Sequence, residues 1–253
     1  MSLVRALSSA LIVGMPAAGI AACDIARGPH SAALVELYTS EGCSSCPPAD
    51  RRLAELRVGP ALVPLALHVG YWDDLGCSDP YARNEFAARQ RWLTGRGGRQ
   101  AVYTPQFFVG GTDVRPADLA AAIDRLNEQP ALASIRLQAH TQRGDALAIS
   151  ASARTAVDGA ALYVALAENG LSSRVRTGEN KGRRLNHGHV VRVWIGQIEL
   201  NAGAIEWERS IPLAPSWQPA QLELSAFVQD RRSGWVLRSV GAARCADIRG
   251  QRA

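Results

Sequence analysis

The chain has 253 residues, of which 47% are hydrophobic and 20% charged, with a formal net charge of +5. This is the make-up of a folded globular protein rather than a disordered one. Its basic residues stand in short pairs (Arg51-Arg52, Arg183-Arg184, Arg231-Arg232) with no long basic run and no interleaved aromatic platform, which argues against nucleic-acid binding and leaves a solvated basic surface with a weak preference for acidic substrate or lipid.

Residues 1–22 form a segment of different character, with one positive charge at Arg5, no acidic residue, and an apolar, small-residue stretch from Ala6 to Ala22. That layout is a secretory signal, and nothing later is apolar enough to span a bilayer. Ile20-Ala21-Ala22-Cys23 also fits a bacterial lipobox, which makes Cys23 a candidate lipidation site; ordinary cleavage within Ala18 to Ala22 is the alternative. The expected location is therefore periplasmic or secreted, with membrane contact only through a lipid anchor on Cys23.

From Ala32 to Gln129 strands and helices alternate. Ala32 to Tyr38 reads as a buried strand, Pro47 to Leu56 as a helix with Leu53 and Leu56 inward, and Ala61 to Val69 as a second, parallel strand with Pro64 near its start. After the loop from Gly70 to Asp79, Ser78 or Asp79 caps a helix with Pro80 in its first turn and Phe86, Ala87, Gln90 and Leu93 on one face. Gln106 to Val109 and Thr112 to Val114 form short strands around the turn Gly110-Gly111, and Pro116 opens a last helix bearing Leu119, Ala122, Ile123 and Leu126. The series β-α-β-α-β-β-α is the element order of the thioredoxin fold.

The pattern changes at Gln129-Pro130. Alternating or apolar stretches at Ile135–Ala139, Leu147–Ala151, Ala160–Ala167, His189–Leu200, Ala204–Ile211, Gln221–Val228 and Trp235–Val240 predict a mostly antiparallel β-sandwich-like unit. The expected organisation is a signal at 1–22, an α/β thioredoxin-like domain at 30–130 and a β-rich domain at 131–248.

Cys43-Ser44-Ser45-Cys46 stands where the first strand meets the first helix, and a helix start favours a thiolate through its unpaired N–H groups and dipole. The N-terminal sulfur of such a pair is normally the exposed one. Cys43 is thus the expected nucleophile in thiol–disulfide exchange, and Cys46 the resolving thiol. Thr104-Pro105 precedes the short strand at Gln106; a cis-proline there would lie beside the Cys pair and leave the Thr104 backbone free for an extended substrate. Glu36, on the first strand, is a candidate proton acceptor for Cys46. Tyr71, Trp72, Asp73 and Asp74 could border the same face.

An exporting address permits disulfides. With Cys43 paired to Cys46, the remaining cysteines are Cys23, Cys77 and Cys245; if Cys23 carries lipid, Cys77 and Cys245 are the candidate structural disulfide, and otherwise Cys23 with Cys245 is an equal candidate. The competing reading is a noncatalytic binding module whose Cys pair is a structural bridge or, with His68, a soft copper or zinc site. His187 and His189 would share one strand face without a third ligand, so no metal and no cofactor are assigned. The expected partner is a protein or small-molecule thiol or disulfide.

Val35 to Asp50, His68 to Asp73 and Val102 to Gln106, with Gly178-Glu179-Asn180, Gly182-Arg183 and His189 to Arg192, resemble the signature blocks of a secreted, thioredoxin-like bacterial family called domain of unknown function 1223. The resemblance covers nearly all of the chain after the signal. It implies a thioredoxin-like domain joined to a β-rich one, with Cys43, Cys46 and Pro105 at redox positions. Cys77, where a Trp is commonly found, and Cys245 depart from the family pattern, and this supports reading them as a disulfide.

Overall fold

The computed structural model describes residues 23–26, 28–76, 78–98, 101–142, 145–201 and 203–245. The expected signal, and Cys77, lie outside the described residues. The architecture is mostly β-strand with three α-helices among the described residues.

A short edge strand β1 (Cys23–Ala26) precedes β2 (Ala33–Thr39), which is buried along its whole length. A strand covered on both faces reads as one apolar run, which is why β2 shows no alternation. Helix α1 (Pro47–Ala54) follows, then β3 (Leu62–His68), a 3-10 turn at Gly70–Leu75, α2 (Asn84–Arg96), the hairpin β4 (Gln106–Val109) and β5 (Thr112–Val114), and α3 (Leu119–Asn127). The β4–β5 turn requires glycine: Gly110 and Gly111 both have positive φ, and a Cβ on Gly111 would lie 1.9 Å from the Gly234 carbonyl oxygen.

Helix α2 starts later than the cap signal at Ser78 or Asp79 predicts. The Asp79 carboxylate accepts the Tyr81 N–H and is paired with His68, so it fixes the loop instead of capping the helix. Pro64 is accommodated within β3 because β11 meets that strand only at the Val190–Ala66 pair.

The rest of the chain supplies β6 (Ala133–Gln142), β7 (Ala146–Thr155), β8 (Ala160–Glu168), β9 (Leu171–Arg174), β10 (Arg184–His187), β11 (Val190–Glu199), β12 (Ala204–Pro212), β13 (Leu222–Asp230) and β14 (Val236–Ala243). The main sheet has eight strands in the order β14-β13-β8-β11-β3-β2-β4-β5, so strands from both sides of Gln129-Pro130 share it. A second sheet, β1-β6-β7-β12, faces its β8-β13-β14 portion across a core of Leu137, Ile149, Leu162, Leu224 and Val240. At the other end, α1 and α3 pack on Val35, Leu37 and Phe107, while α2 packs Phe86 and Leu93 against the opposite face with Leu34, Tyr38 and Phe108. The hairpin β9–β10 stands apart as a two-stranded sheet.

A disulfide joins Cys23, on β1, to Cys245, just after β14, with Cα atoms 5.2 Å apart. Of the two partners the sequence left open for Cys245, the bond takes Cys23 and not Cys77, and with its sulfur in this bond Cys23 is not free to carry the expected lipid. Packing of β1 beside the end of β14 brings the two cysteines together.

Candidate functional site

Strand β2 ends at Thr39, and a tight loop carries the chain to α1: the Cys43 N–H donates to the Ser40 carbonyl and the Cys46 N–H to the Cys43 carbonyl. Pro47 and Pro48 then occupy the first helical positions, where a missing N–H costs nothing. Cys43 and Cys46 are bonded to each other, with Cα atoms 5.4 Å apart. Both are 0% exposed, although Ser44 and Ser45 between them are exposed. The expectation of a solvent-facing Cys43 is therefore corrected: in this oxidised state the pair is covered.

The link between β9 and β10 ties down the Cys loop. Asn180, 0% exposed, donates through Nδ2 to the carbonyls of Glu41 and Cys43, each at 2.9 Å, and its Oδ1 accepts from Arg183 at 3.0 Å. Glu179 accepts the Ser44 N–H at 3.0 Å, and hydrogen bonding to the Ser44 side chain first, and to that N–H second, holds its carboxyl below the ordinary range. Deeper in, His187 Nε2 lies 3.0 Å from the Glu41 carboxylate and 3.1 Å from Ser173 Oγ. The pairing with a carboxylate acceptor places the ring proton on Nε2. Side chain and backbone of the Cys loop are thus both tied to the hairpin.

A buried polar cluster adjoins the Cys loop. Asp50 sits one helical turn after Cys46, its N–H donating to the Cys46 carbonyl, and is 8% exposed. Burial pushes its carboxyl up, with the neighbouring His68 opposing. His68 Nδ1 lies 2.7 Å from Asp79 Oδ2, which also accepts the Glu41 N–H at 2.9 Å. Burial alone would push His68 down, but Asp79 outweighs it and the imidazole is held above its ordinary value. Burial would likewise raise Asp79, and His68 outweighs that to hold it low. The rings of His68, Tyr81 and His187 meet edge to face at 5.2–5.3 Å, and His68 Nε2 and His187 Nδ1 are buried without a hydrogen-bond partner.

Glu36 belongs to a different site, which corrects its expected role as proton acceptor for Cys46. Successive β2 side chains alternate in direction, so Glu36 shares the α2 face with Leu34 and Tyr38, while α1 covers the face of Val35 and Leu37. There it forms a buried ion pair with Arg89, at 2.6 and 3.0 Å, and accepts the Tyr38 hydroxyl. Arg89 in turn lies over the rings of Tyr163, Trp194 and Phe227.

The Thr104–Pro105 peptide is cis. Tyr38 pairs with Gln106, so one step further along the register puts Pro105 beside Thr39, where the Cys loop leaves β2. Trp72 Nε1 donates to Thr104 Oγ1 at 2.8 Å, and Gln90 Nε2 donates to the Tyr103 carbonyl and to Gln106. Trp72 therefore braces the proline segment, and Asp73 accepts the Asp79 N–H.

His187 and His189 diverge: His187 ends β10 and meets Glu41, whereas His189, with φ of 56°, has Nδ1 2.6 Å from Glu223. Among the described residues no group of three or more His, Cys, Asp or Glu side chains is placed to hold a metal ion.

Asp50 and the two ties of the hairpin, through Asn180 and Glu41, were not singled out from the sequence as site residues. Helical spacing carried the signal for Asp50, since it falls on the stripe of Cys46, Ala49 and Leu53 that α1 buries.

Residues 34–229 match the family model described as Protein of unknown function (DUF1223), and the chain belongs to that family. A crystal structure of protein AGR_C_4864 from Agrobacterium tumefaciens is similar at 24% identity and a TM-score of 0.61, covering 86% of this chain and 96% of that one, which is a likeness of fold. No curated protein matches the chain.

Proposed function

We propose that this DUF1223 member is an exported thiol–disulfide exchange protein, in which a thioredoxin-like arrangement holds Cys43–Cys46 as a redox couple that is covered when oxidised. The observation that carries the reading is the buried Asp50–His68–Asp79 cluster tied to the Cys loop, through the Asp50 N–H on the Cys46 carbonyl and the Glu41 N–H on Asp79. A structural bridge needs only apolar packing. Buried titratable groups cost free energy and gather where protons move.

The exchange runs as follows. A substrate thiolate attacks Cys43 Sγ, the Cys43–Cys46 bond breaks, and a mixed disulfide forms with Cys46 leaving as thiolate. A second substrate thiolate then displaces Cys43. The substrate leaves as a disulfide, two electrons pass to the Cys pair, and the two protons from the substrate thiols end on Cys43 and Cys46. In this scheme Asp50, whose carboxyl burial has raised, carries the proton to Cys46. The cis Thr104–Pro105 edge lines the substrate side. A disulfide substrate reverses every step. Two disulfides among the described residues fit an oxidising compartment.

A second reading, a permanent structural bridge, is favoured by the complete burial of both sulfurs. The two are separated by mixing oxidised protein with a dithiol peptide and following peptide oxidation and thiol appearance at Cys43 and Cys46. Wild type should oxidise the peptide stoichiometrically and Cys43→Ser should not. Equal rates reject the exchange reading.

A further inference from the structure

The hairpin that ties down the Cys loop carries an unusual charge distribution. Arg174, Arg176, Lys181, Arg183 and Arg184 are exposed on the hairpin and its link, with Glu179 the one acidic side chain there. Glu179 is engaged by the Ser44 N–H, and none of the five basic residues forms an ion pair with a carboxylate among the described residues.

Arg174 and Arg184 are direct cross-strand partners in the β9–β10 ladder. Like charges opposite one another destabilise a β-pair, so the arrangement works against the hairpin's own stability. The two arginines, with Ser172, Ser173 and Gly182, line a hollow of 430 Å³. Arg184 donates to Ser172 Oγ and Arg183 to Asn180 Oδ1, so neither contact neutralises charge. A carboxylate in the hollow would relieve the repulsion and take charge-assisted hydrogen bonds from both guanidinium groups.

We infer that this face is the docking site for an acidic polypeptide, and that the thiol or disulfide substrate of the Cys pair is carried on such a segment. The substrate half of the inference rests on the exchange reading. The docking half rests on the hairpin alone. The place of the charge gives it meaning: the same residues that would hold the acidic segment belong to the element whose Asn180 and Glu179 tie down the Cys loop. A partner bound there is adjacent to the sulfurs it must reach.

Two matched peptides test this, each with one dithiol pair, one flanked by glutamates and the other by lysines. Binding is read by fluorescence anisotropy on versions with serine in place of cysteine, and exchange is read on the dithiol versions. The glutamate peptide should bind at least about tenfold more tightly at low salt, and the preference should fall with added salt and in both R174Q/R184Q and R174E/R184E. These residues are exposed, so the folded state should persist, which circular dichroism checks. Equal binding of the two peptides overturns the docking site, as does binding to phosphatidylglycerol vesicles without preference between peptides. Selective binding of the glutamate peptide without its oxidation keeps the docking site and sinks the exchange reading. Oxidation of both peptides at equal rates keeps exchange and removes the acidic-substrate inference.

Discussion

Replacing Asn180 by aspartate keeps the side-chain shape but removes the amide that donates to the Glu41 and Cys43 carbonyls. Each of those buried hydrogen bonds is worth about 1 kcal/mol net, and carbonyls left unpaired in the closed state add to the loss, so the hairpin tip should be weakened by about 2–4 kcal/mol. At about 1.4 kcal/mol per factor of ten, release of the hairpin from the Cys loop becomes at least about thirtyfold more frequent. Because reduction requires access to sulfurs that are 0% exposed, the rate at which dithiothreitol reduces Cys43–Cys46 should rise by the same factor. The assay quenches the reaction with an alkylating agent and counts labelled peptides by mass spectrometry. Cys23–Cys245 lies at the other sheet and serves as an internal control whose rate should not change. An unchanged rate at Cys43–Cys46 refutes the argument, and so does equal acceleration of both bridges, which would mean general loosening of the fold.

Stability should depend on pH through His68 and Asp79. His68 is held above its ordinary value of 6.5, so its contribution is complete below that pH and is lost as pH rises through the raised value; Asp79, held below 3.8, keeps its contribution until pH falls through the lowered value. The thermal midpoint should therefore decline as pH rises above 6.5, and Asp79→Asn should flatten that decline. Arg89→Met leaves the Glu36 carboxylate buried without its cation and should cost about 3–5 kcal/mol in urea unfolding, whereas Arg89→Met with Glu36→Leu should cost much less. Peptide mapping of oxidised protein should recover Cys23 joined to Cys245, and Cys23→Ser should lower stability by up to about 5 kcal/mol, the loop-closure value for a bridge spanning 222 residues.

The sequence was most legible where apolar pattern and turn chemistry coincide. Residues 33–39, 62–68, 106–109 and 112–114 are strands where apolar runs and the Gly110-Gly111 turn put them, and Cys43 and Cys46 stand at the predicted strand-to-helix junction. Pairing parity within β2 was not legible, because a strand buried on both faces gives no clue to which face holds Glu36. Cysteine connectivity was not legible either: spacing left two partners for Cys245, and the position of β1 beside β14 decided between them. The hairpin β9–β10 was missed because its strands have four residues each and carry serine and arginine instead of an apolar run. Its link, rich in Gly, Glu, Asn and Lys, reads as loop, and only the fold brings Asn180 onto a loop 137 residues earlier in the chain.

The midpoint reduction potential of Cys43–Cys46, measured by equilibration with a thiol–disulfide buffer and alkylation of the native protein, bears most directly on whether this bond turns over. Exchange predicts a value above about −300 mV, within reach of biological dithiols; a value well below about −300 mV would mark a permanent bridge and contradict the account.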